Sequence, residues 1–334
     1  MQQTANNKNR SSRNINSQNR RNKKNERFNW LLPAGIVLLV VFMVYNIANL
    51  DSKPSSDESS FEVGSGIEVT DNEPADIENY NIITKDFDDL SVGDLVLIGN
   101  QYKFTRDVTD ELVGMMDYKS NNYSISDSTI IMKEDVAIAL NNLLNHFYDK
   151  TGNSTINVTS GYRSYDLQKT LYENELLETD SEEAVHWVAK PGYSEHHSGY
   201  AVDINVIDGY NGVSLEYTGD GEFKELNDSA PDYGFVVRYQ ESKKDITGIY
   251  YEPWHFRYVG IPHSKIMQEM NFCFEEYIDF LKTYPIDGKH LKYTFKNKSY
   301  EIYYCKGYNV YVPKSGDYEI SGNNVDGFIV TIIK

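Results

Sequence analysis

The chain has 334 residues, room for two average domains, and carries 50 acidic against 32 basic side chains for a formal net charge of −18. Residues 1–28 hold eight of those bases and one of the acids, which leaves 24 bases against 49 acids in the rest. That balance disfavours a nucleic-acid-binding face on the main body, because phosphate contacts need a basic surface, and two cysteines, Cys273 and Cys305, are too few for a disulfide framework.

Apart from its basic residues, the 1–28 segment is mostly Asn, Gln and Ser, a composition that cannot bury a core and predicts a disordered cytoplasmic tail. From Phe28 to Leu50 run 23 residues without a charge, rich in Val, Leu and Ile. Such a run can cross a hydrocarbon layer of about 30 Å. With the basic flank on its N-terminal side, it predicts a signal anchor at 29–50, a single transmembrane helix in the lipid bilayer with the remainder outside. A cleaved secretory signal competes with this reading, but the run is longer than a usual signal core and no small-x-small site closes it between Asn46 and Ser52. Residues 51–80, rich in Ser, Asp, Glu and Gly, predict an acidic extracellular linker.

Order is expected from about Ile82. The run Leu95–Ile98, ending at Gly99-Asn100, reads as a short apolar strand. Val136, Leu140, Leu143, Leu144 and Phe147 follow the i, i+4, i+7, i+8, i+11 stripe of a helix ending near Gly152. Thr155–Ser160 reads as a strand stopped by Gly161, delivering Tyr162 and Arg163 to a loop. Ser164 then caps a helix carrying Leu167, Leu171 and Leu176. Around 199–205 small and β-branched residues predict a strand, whose period of two sets Ala201, Asp203 and Asn205 on one face and Val202 and Ile204 on the other. In the strand predicted at Trp254–Val259, His255 and Arg257 share a face, and Pro253 marks an edge or a strand start, with Glu252 approaching from the preceding turn. One helix is expected over Ser264–Leu281. Beyond it, 289–334 alternates Tyr/Val/Ile runs with turn clusters such as Gly322-Asn323-Asn324 and predicts an antiparallel C-terminal β appendix. Both cysteines fall on the predicted outer side, where a disulfide persists; a bridge and two buried thiols fit the sequence equally.

The chemistry concentrates in SEHHSGYAVD (194–203) and EPWHFR (252–257). His196, Asp203 and His255 are candidate metal ligands: two imidazoles and a carboxylate leave a zinc ion with one open position for water, as catalytic sites require. Glu252, beside them, can take the water's proton. His197 is chemically as able to bind a metal as His196, and an iron facial triad uses the same ligand types, although an oxygenase needs no base beside its third ligand. His146, His186, His263 and His290 read as structural.

SGYRSYDLQ (160–168), PGYSEHHSGYAVDIN (191–205) and EPWHFRYVG (252–260) resemble the three signature blocks of the VanY-type D-alanyl-D-alanine carboxypeptidases, zinc peptidases grouped with lysostaphin and the Sonic hedgehog fold. The resemblance spans about 85–282, and Ser194, His196, Gly199, Ala201 and Asp203 fill every fixed position of the pattern S-x-H-x-x-G-x-A-x-D. It implies an α+β fold, an antiparallel sheet with flanking helices, in a zinc carboxypeptidase domain at 81–288, with the appendix at 289–334 outside the shared motifs. It selects His196 over His197 and implies Zn2+ on His196, Asp203 and His255. Glu252 is then the general base, Arg163 the oxyanion partner, Tyr162, Gln168 and Ser194 the residues that engage the substrate's carboxylate, and Trp254 a pocket wall. The implied partners are peptidoglycan stem peptides, from which D-alanine is removed outside a bacterial cell; no protein partner is predicted. An L,D-carboxypeptidase on tetrapeptide stems shares these motifs, and a non-catalytic wall-binding module is disfavoured by the intact Glu252 and Arg163.

Overall fold

The computed structural model describes residues 66–68 and 77–334, so the expected tail and anchor, residues 1–50, and much of the expected linker lie outside the described residues. In chain order the elements that build the site are β1 (Gly66–Glu68), β2 (Tyr80–Thr84), β3 (Leu112–Gly114), β4 (Ser124–Ile125), β5 (Ile131–Lys133), α1 (Glu134–Thr151), β6 (Ile156–Ser160), α2 (Tyr165–Glu178) and α3 (Ser181–Trp187). There follow β7 (Ala201–Ile207), β8 (Ser214–Leu215), α4 (Lys224–Ser229), β9 (Phe235–Tyr239), α5 (Lys244–Thr247), β10 (Glu252–Tyr258), α6 (His263–Met270) and α7 (Phe274–Leu281). The chain closes with β11 (Leu291–Phe295), β12 (Lys298–Lys306), β13 (Asn309–Pro313), β14 (Asp317–Gly322) and β15 (Gly327–Ile333). Among the described residues no helix is long and apolar enough to cross a membrane.

The fold is α+β. The central sheet runs β4-β6-β7-β10-β9, with β8 paired to β7. It is antiparallel except for one departure from expectation: the two-residue β4 lies parallel to β6. Helix α1 supplies Val136, Leu140, Leu143, Leu144 and Phe147 to a core shared with Val158, Val202, Ile204, Phe235 and Phe256. The predicted stripe is thus the buried stripe, and Gly152 ends the helix in the left-handed conformation that glycine adopts without strain. Ser164 Oγ accepts the Leu167 N–H at the start of α2 as expected, but Leu167 and Leu176 stay exposed and only Gln168 of this helix is buried.

Three expectations are corrected. Leu95–Ile98 is buried but joins no sheet. Arginine side chains take the place of a neighbouring strand: Arg257 Nη2 donates to the carbonyls of Asp94 and Val96, and Arg238 Nη2 to that of Ile98. The helix expected over Ser264–Leu281 is two helices, because Asn271 adopts a left-handed conformation (φ 53°) that caps α6, and Cys273 and Glu276 form a capping box that starts α7. Pro253 marks a strand start, not an edge: β10 lies between β7 and β9, Glu252 is its first residue, and a register shift between Glu252 and Phe256 accommodates the ring that lacks an N–H.

Four strands of the 289–334 segment join β1 in the second sheet, ordered β1-β11-β12-β15-β14 and antiparallel throughout, while β13 lies outside it. Both of its faces are covered. Tyr300, Ile302 and Ile329 pack with Leu95, Val236, Val259, Ile266 and Phe274 on one side, and Tyr303, Cys305, Phe328 and Val330 pack with Leu90, Val310 and Val312 on the other. Its strands therefore share a core with the residues that precede 289. Part of the stretch expected as linker joins this body through β1 on β11, and β2 begins at Tyr80 and pairs with β13. Cys273 and Cys305 are both buried and unbridged.

Candidate active site

Strands β7 and β10 are antiparallel neighbours in a register that sets His255 directly opposite Asp203, so residues 52 apart in sequence become a cross-strand pair. His196 comes from the single 3-10 turn Glu195–Ser198, closed by Gly199 at φ 74°. A Cβ at Gly199 would stand 2.7 Å from Leu112 Cδ2, so both the backbone and the space call for glycine. The Arg163 N–H donates to the His196 carbonyl (3.1 Å) and ties the loop after β6 to this turn.

His196 Nδ1 donates to the Gly161 carbonyl (2.6 Å), which leaves Nε2 facing Asp203 Oδ2 at 3.1 Å. His255 Nε2 donates to Glu195 Oε2 (3.2 Å), while its Nδ1 lies 3.0 Å from Asp203 Oδ1 and 3.7 Å from Glu252 Oε2. Asp203 Oδ1 is buried, and its 3.0 Å contact with His255 Nδ1 is not a well-aligned hydrogen bond. One ligand atom from each of His196, Asp203 and His255 lies within 4.8 Å of the others. Two imidazoles whose outer nitrogens are already engaged and whose inner nitrogens both face one carboxylate fit a divalent metal ion.

The electrostatics point the same way. Burial, reinforced by Arg163, holds His196 below its ordinary pKa and keeps it neutral. Burial opposes a charge on His255, but the carboxylates of Asp203 and Glu195 on either side raise it to about 9. Burial likewise works against ionisation of Asp203, yet the two histidine rings hold its carboxyl well below the usual range. Burial pushes Glu252 up to about 7, with Asp203 adding to the rise and His255 opposing it.

A cavity of about 390 Å³ opens over this group, lined among others by Arg163, Gln168, Ser194, Glu252, Trp254 and Tyr239. Arg163 Nη2 donates to Asp203 Oδ2 (3.2 Å) and Ser160 Oγ (3.2 Å), and Nη1 donates to Gln168 Oε1 (2.9 Å). Gln168 is buried, its amide also donating to the Ala189 carbonyl at 2.7 Å. Tyr162 is the one expected site residue that is not brought in. It packs instead against the cluster of Val96, Ile98, Phe104 and Val108. His197 is held by its own bonds, Nδ1 donating to the Arg163 carbonyl and Nε2 accepting the Gly192 N–H. Sequence reasoning missed Glu195, Arg238 and Tyr239. Tyr239 lays its ring 4.9 Å from that of His255, and Glu195 is a fully buried carboxylate that the charges of Arg238 and Arg257 keep ionised against burial. The shared face of His255 and Arg257 was the available signal for the latter.

Comparison with known proteins agrees with this geometry. A family model described as VanY, D-alanyl-D-alanine carboxypeptidase, matches residues 129–261. The chain is 38% identical over 246 residues, 72% of its length and 75% of the relative's, to a D-alanyl-D-alanine carboxypeptidase of Enterococcus faecium. It is 39% identical over 135 residues, 38% of its length and 67% of the relative's, to the bifunctional D-Ala-D-Ala dipeptidase and D-Ala-D-Ala carboxypeptidase VanXYC of Enterococcus gallinarum. The crystal structure of the vancomycin resistance D,D-dipeptidase VanXYg, in complex with a D-Ala-D-Ala phosphinate analogue, superposes with a TM-score of 0.66 at 35% identity over 76% of this chain and 99% of that one.

Proposed function

This chain belongs to the VanY family of D-alanyl-D-alanine carboxypeptidases, and from that membership we propose that it is a zinc-dependent hydrolase removing the C-terminal D-alanine from peptidoglycan stem peptides. The observation that carries the reading is the convergence of His196 Nε2 and His255 Nδ1 on the Asp203 carboxylate, at 3.1 and 3.0 Å, beside a cavity lined by Glu252 and Arg163. Those three side chains would hold the zinc. When bound, the metal supplies a Lewis acid that brings the pKa of water near 7 and polarises a carbonyl.

Glu252 is the proton carrier. Its carboxyl, raised to about 7, accepts a proton from the attacking water and passes it to the leaving D-alanine nitrogen. Arg163 stabilises the charge that develops on the scissile carbonyl oxygen, because its guanidinium is fixed by Gln168, Ser160 and Asp203 before substrate arrives. Gln168 sets the angle of Arg163, and Ser194 and Trp254, both lining the cavity, face the terminal residue of the peptide. The basic flank at 1–28 and the charge-free run after it support a single-pass anchor with the catalytic unit on the outer face of a bacterial membrane.

The test is mass spectrometry of purified pentapeptide and tetrapeptide stems incubated with the full-length chain, with and without a chelator. Chelator-sensitive release of D-alanine from the pentapeptide supports the reading. Release from the tetrapeptide alone makes the protein an L,D-carboxypeptidase, and full metal occupancy with no release from either makes it a binding module.

A further inference from the structure

Glu195 is the most completely enclosed carboxylate near the site: its side chain is 0% exposed, as are those of Arg238 and Arg257. A charge in that position is unfavourable unless it is paired and hydrogen-bonded on every side. The two oxygens divide the work. Oε1 accepts from Arg238 Nε (2.7 Å) and Arg257 Nη1 (3.1 Å), whereas Oε2 accepts from His255 Nε2 (3.2 Å). Arg238 turns its remaining nitrogens to Glu275 on α7, at 2.9 and 2.7 Å. Arg257 spends Nη2 on the carbonyls of Asp94 and Val96. Two guanidinium groups thus balance two carboxylates, and the cluster needs no charge from His255. Its contact with that ring is free to do something else.

We infer that Glu195 is a positioning residue for the metal centre: it holds the Nε2–H of His255, so that Nδ1 is presented toward His196 and Asp203, and it makes that ring a stronger donor than a neutral acceptor would. The two ligand rings are held by different acceptors. His196 donates its outer N–H to a backbone carbonyl, which no side-chain substitution removes. His255 depends on Glu195 alone. Arg238 and Arg257 keep the carboxylate anionic and immobile, and through them the orientation of His255 is tied to α7 and to the Asp94–Ile98 segment that packs under the second sheet.

This inference rests on the metal reading of the site, and the experiment separates the two. Zinc affinity of the full-length chain is measured by competition with a chromophoric chelator, alongside the d–d absorption spectrum of the cobalt(II)-substituted protein and the melting temperature of the metal-free form. Three variants are compared. Glu195→Gln replaces the anion by an amide that can also offer the ring a donor. Glu195→Asp keeps the charge for the arginines but draws it back from His255. Glu275→Gln disturbs the same ion network without touching a ligand ring.

The expected result is a loss of zinc affinity on the order of 10- to 100-fold in both Glu195 variants, with an altered cobalt spectrum. Glu275→Gln should lower the melting temperature and bind zinc within about threefold of the wild type. Wild-type affinity in a folded Glu195 variant overturns the inference. So does failure of both Glu195 variants to fold, or an equal loss in Glu275→Gln, since each makes Glu195 a purely structural charge. A wild-type chain that binds no zinc removes the metal reading itself.

Discussion

His263 offers a test of how tightly the second sheet is joined to the catalytic body. It begins α6, its Nδ1 lies 2.8 Å from the Tyr277 hydroxyl on α7, and its Nε2 lies 3.0 Å from Thr331 Oγ1 on β15. Burial holds its pKa down at about 3. The unfolded chain, at an ordinary pKa of about 6.5, binds a proton that the folded chain refuses, so this residue's contribution is fully present above pH 6.5 and is lost as pH falls toward 3. At about 1.4 kcal/mol per pH unit, the fall from pH 7 to pH 5 removes about 2 kcal/mol, or about 4–8 °C in melting temperature for a body of this size. Other groups titrate in the same window, so the informative quantity is the difference between the wild type and His263→Gln, whose amide can satisfy both hydroxyls without taking a proton. Urea unfolding at the two pH values should show the variant losing about 2 kcal/mol less than the wild type. Parallel pH dependence of the two proteins would refute the argument, because His263 would then have to be protonated in the folded state or already solvated.

Three further outcomes follow from the site and the cores. Glu252→Gln should retain zinc at full stoichiometry while kcat falls by about 10²–10⁴; loss of the metal, read by elemental analysis, would make Glu252 a ligand instead. Arg163→Lys keeps a charge but not the planar fork that reaches Gln168, Ser160 and Asp203 together, so kcat/KM should drop by about 2–4 kcal/mol of transition-state stabilisation, and near-wild-type turnover removes Arg163 from the chemistry. Truncation after Tyr284 deletes Leu291, Tyr293, Phe295, Tyr300, Ile302 and Ile329 from a shared core; at about 2 kcal/mol per buried side chain the loss is about 12 kcal/mol, comparable to the whole stability of a domain. That variant should be aggregated or unfolded by circular dichroism, and a stable, active truncation that no longer binds isolated cell walls would make the segment a targeting element.

What was legible in the sequence follows a physical division. Asp203 was placed on the site face because strand periodicity is local, and Val202 and Ile204 on either side do enter the core. The α1 stripe was legible for the same reason. Leu95–Ile98 shows the limit of such patterns: an apolar run reports burial, but not which groups bond its backbone, and here the Val96 and Ile98 carbonyls accept from Arg257 and Arg238, and that of Leu97 from Asn324, all 140 or more residues further along the chain. Asn271 hid in the same way, since a left-handed asparagine that splits a helix leaves the apolar periodicity on both sides intact. Glu195 is the sharper case. Beside His196 it reads as an ordinary acid in a polar turn, because nothing local distinguishes a carboxylate at 0% exposure from a solvated one. Its burial is permitted only by Arg238 and Arg257, 43 and 62 residues away. Residue type and spacing left His196 and His197 equal as candidate metal ligands and the motif S-x-H-x-x-G-x-A-x-D chose between them, whereas the groups that orient the candidate ligands answer to charge balance across the fold. A buried ion network is therefore the part of such a site that tertiary structure must supply, and Arg257, sharing a face with His255, was the one member within reach of a local pattern.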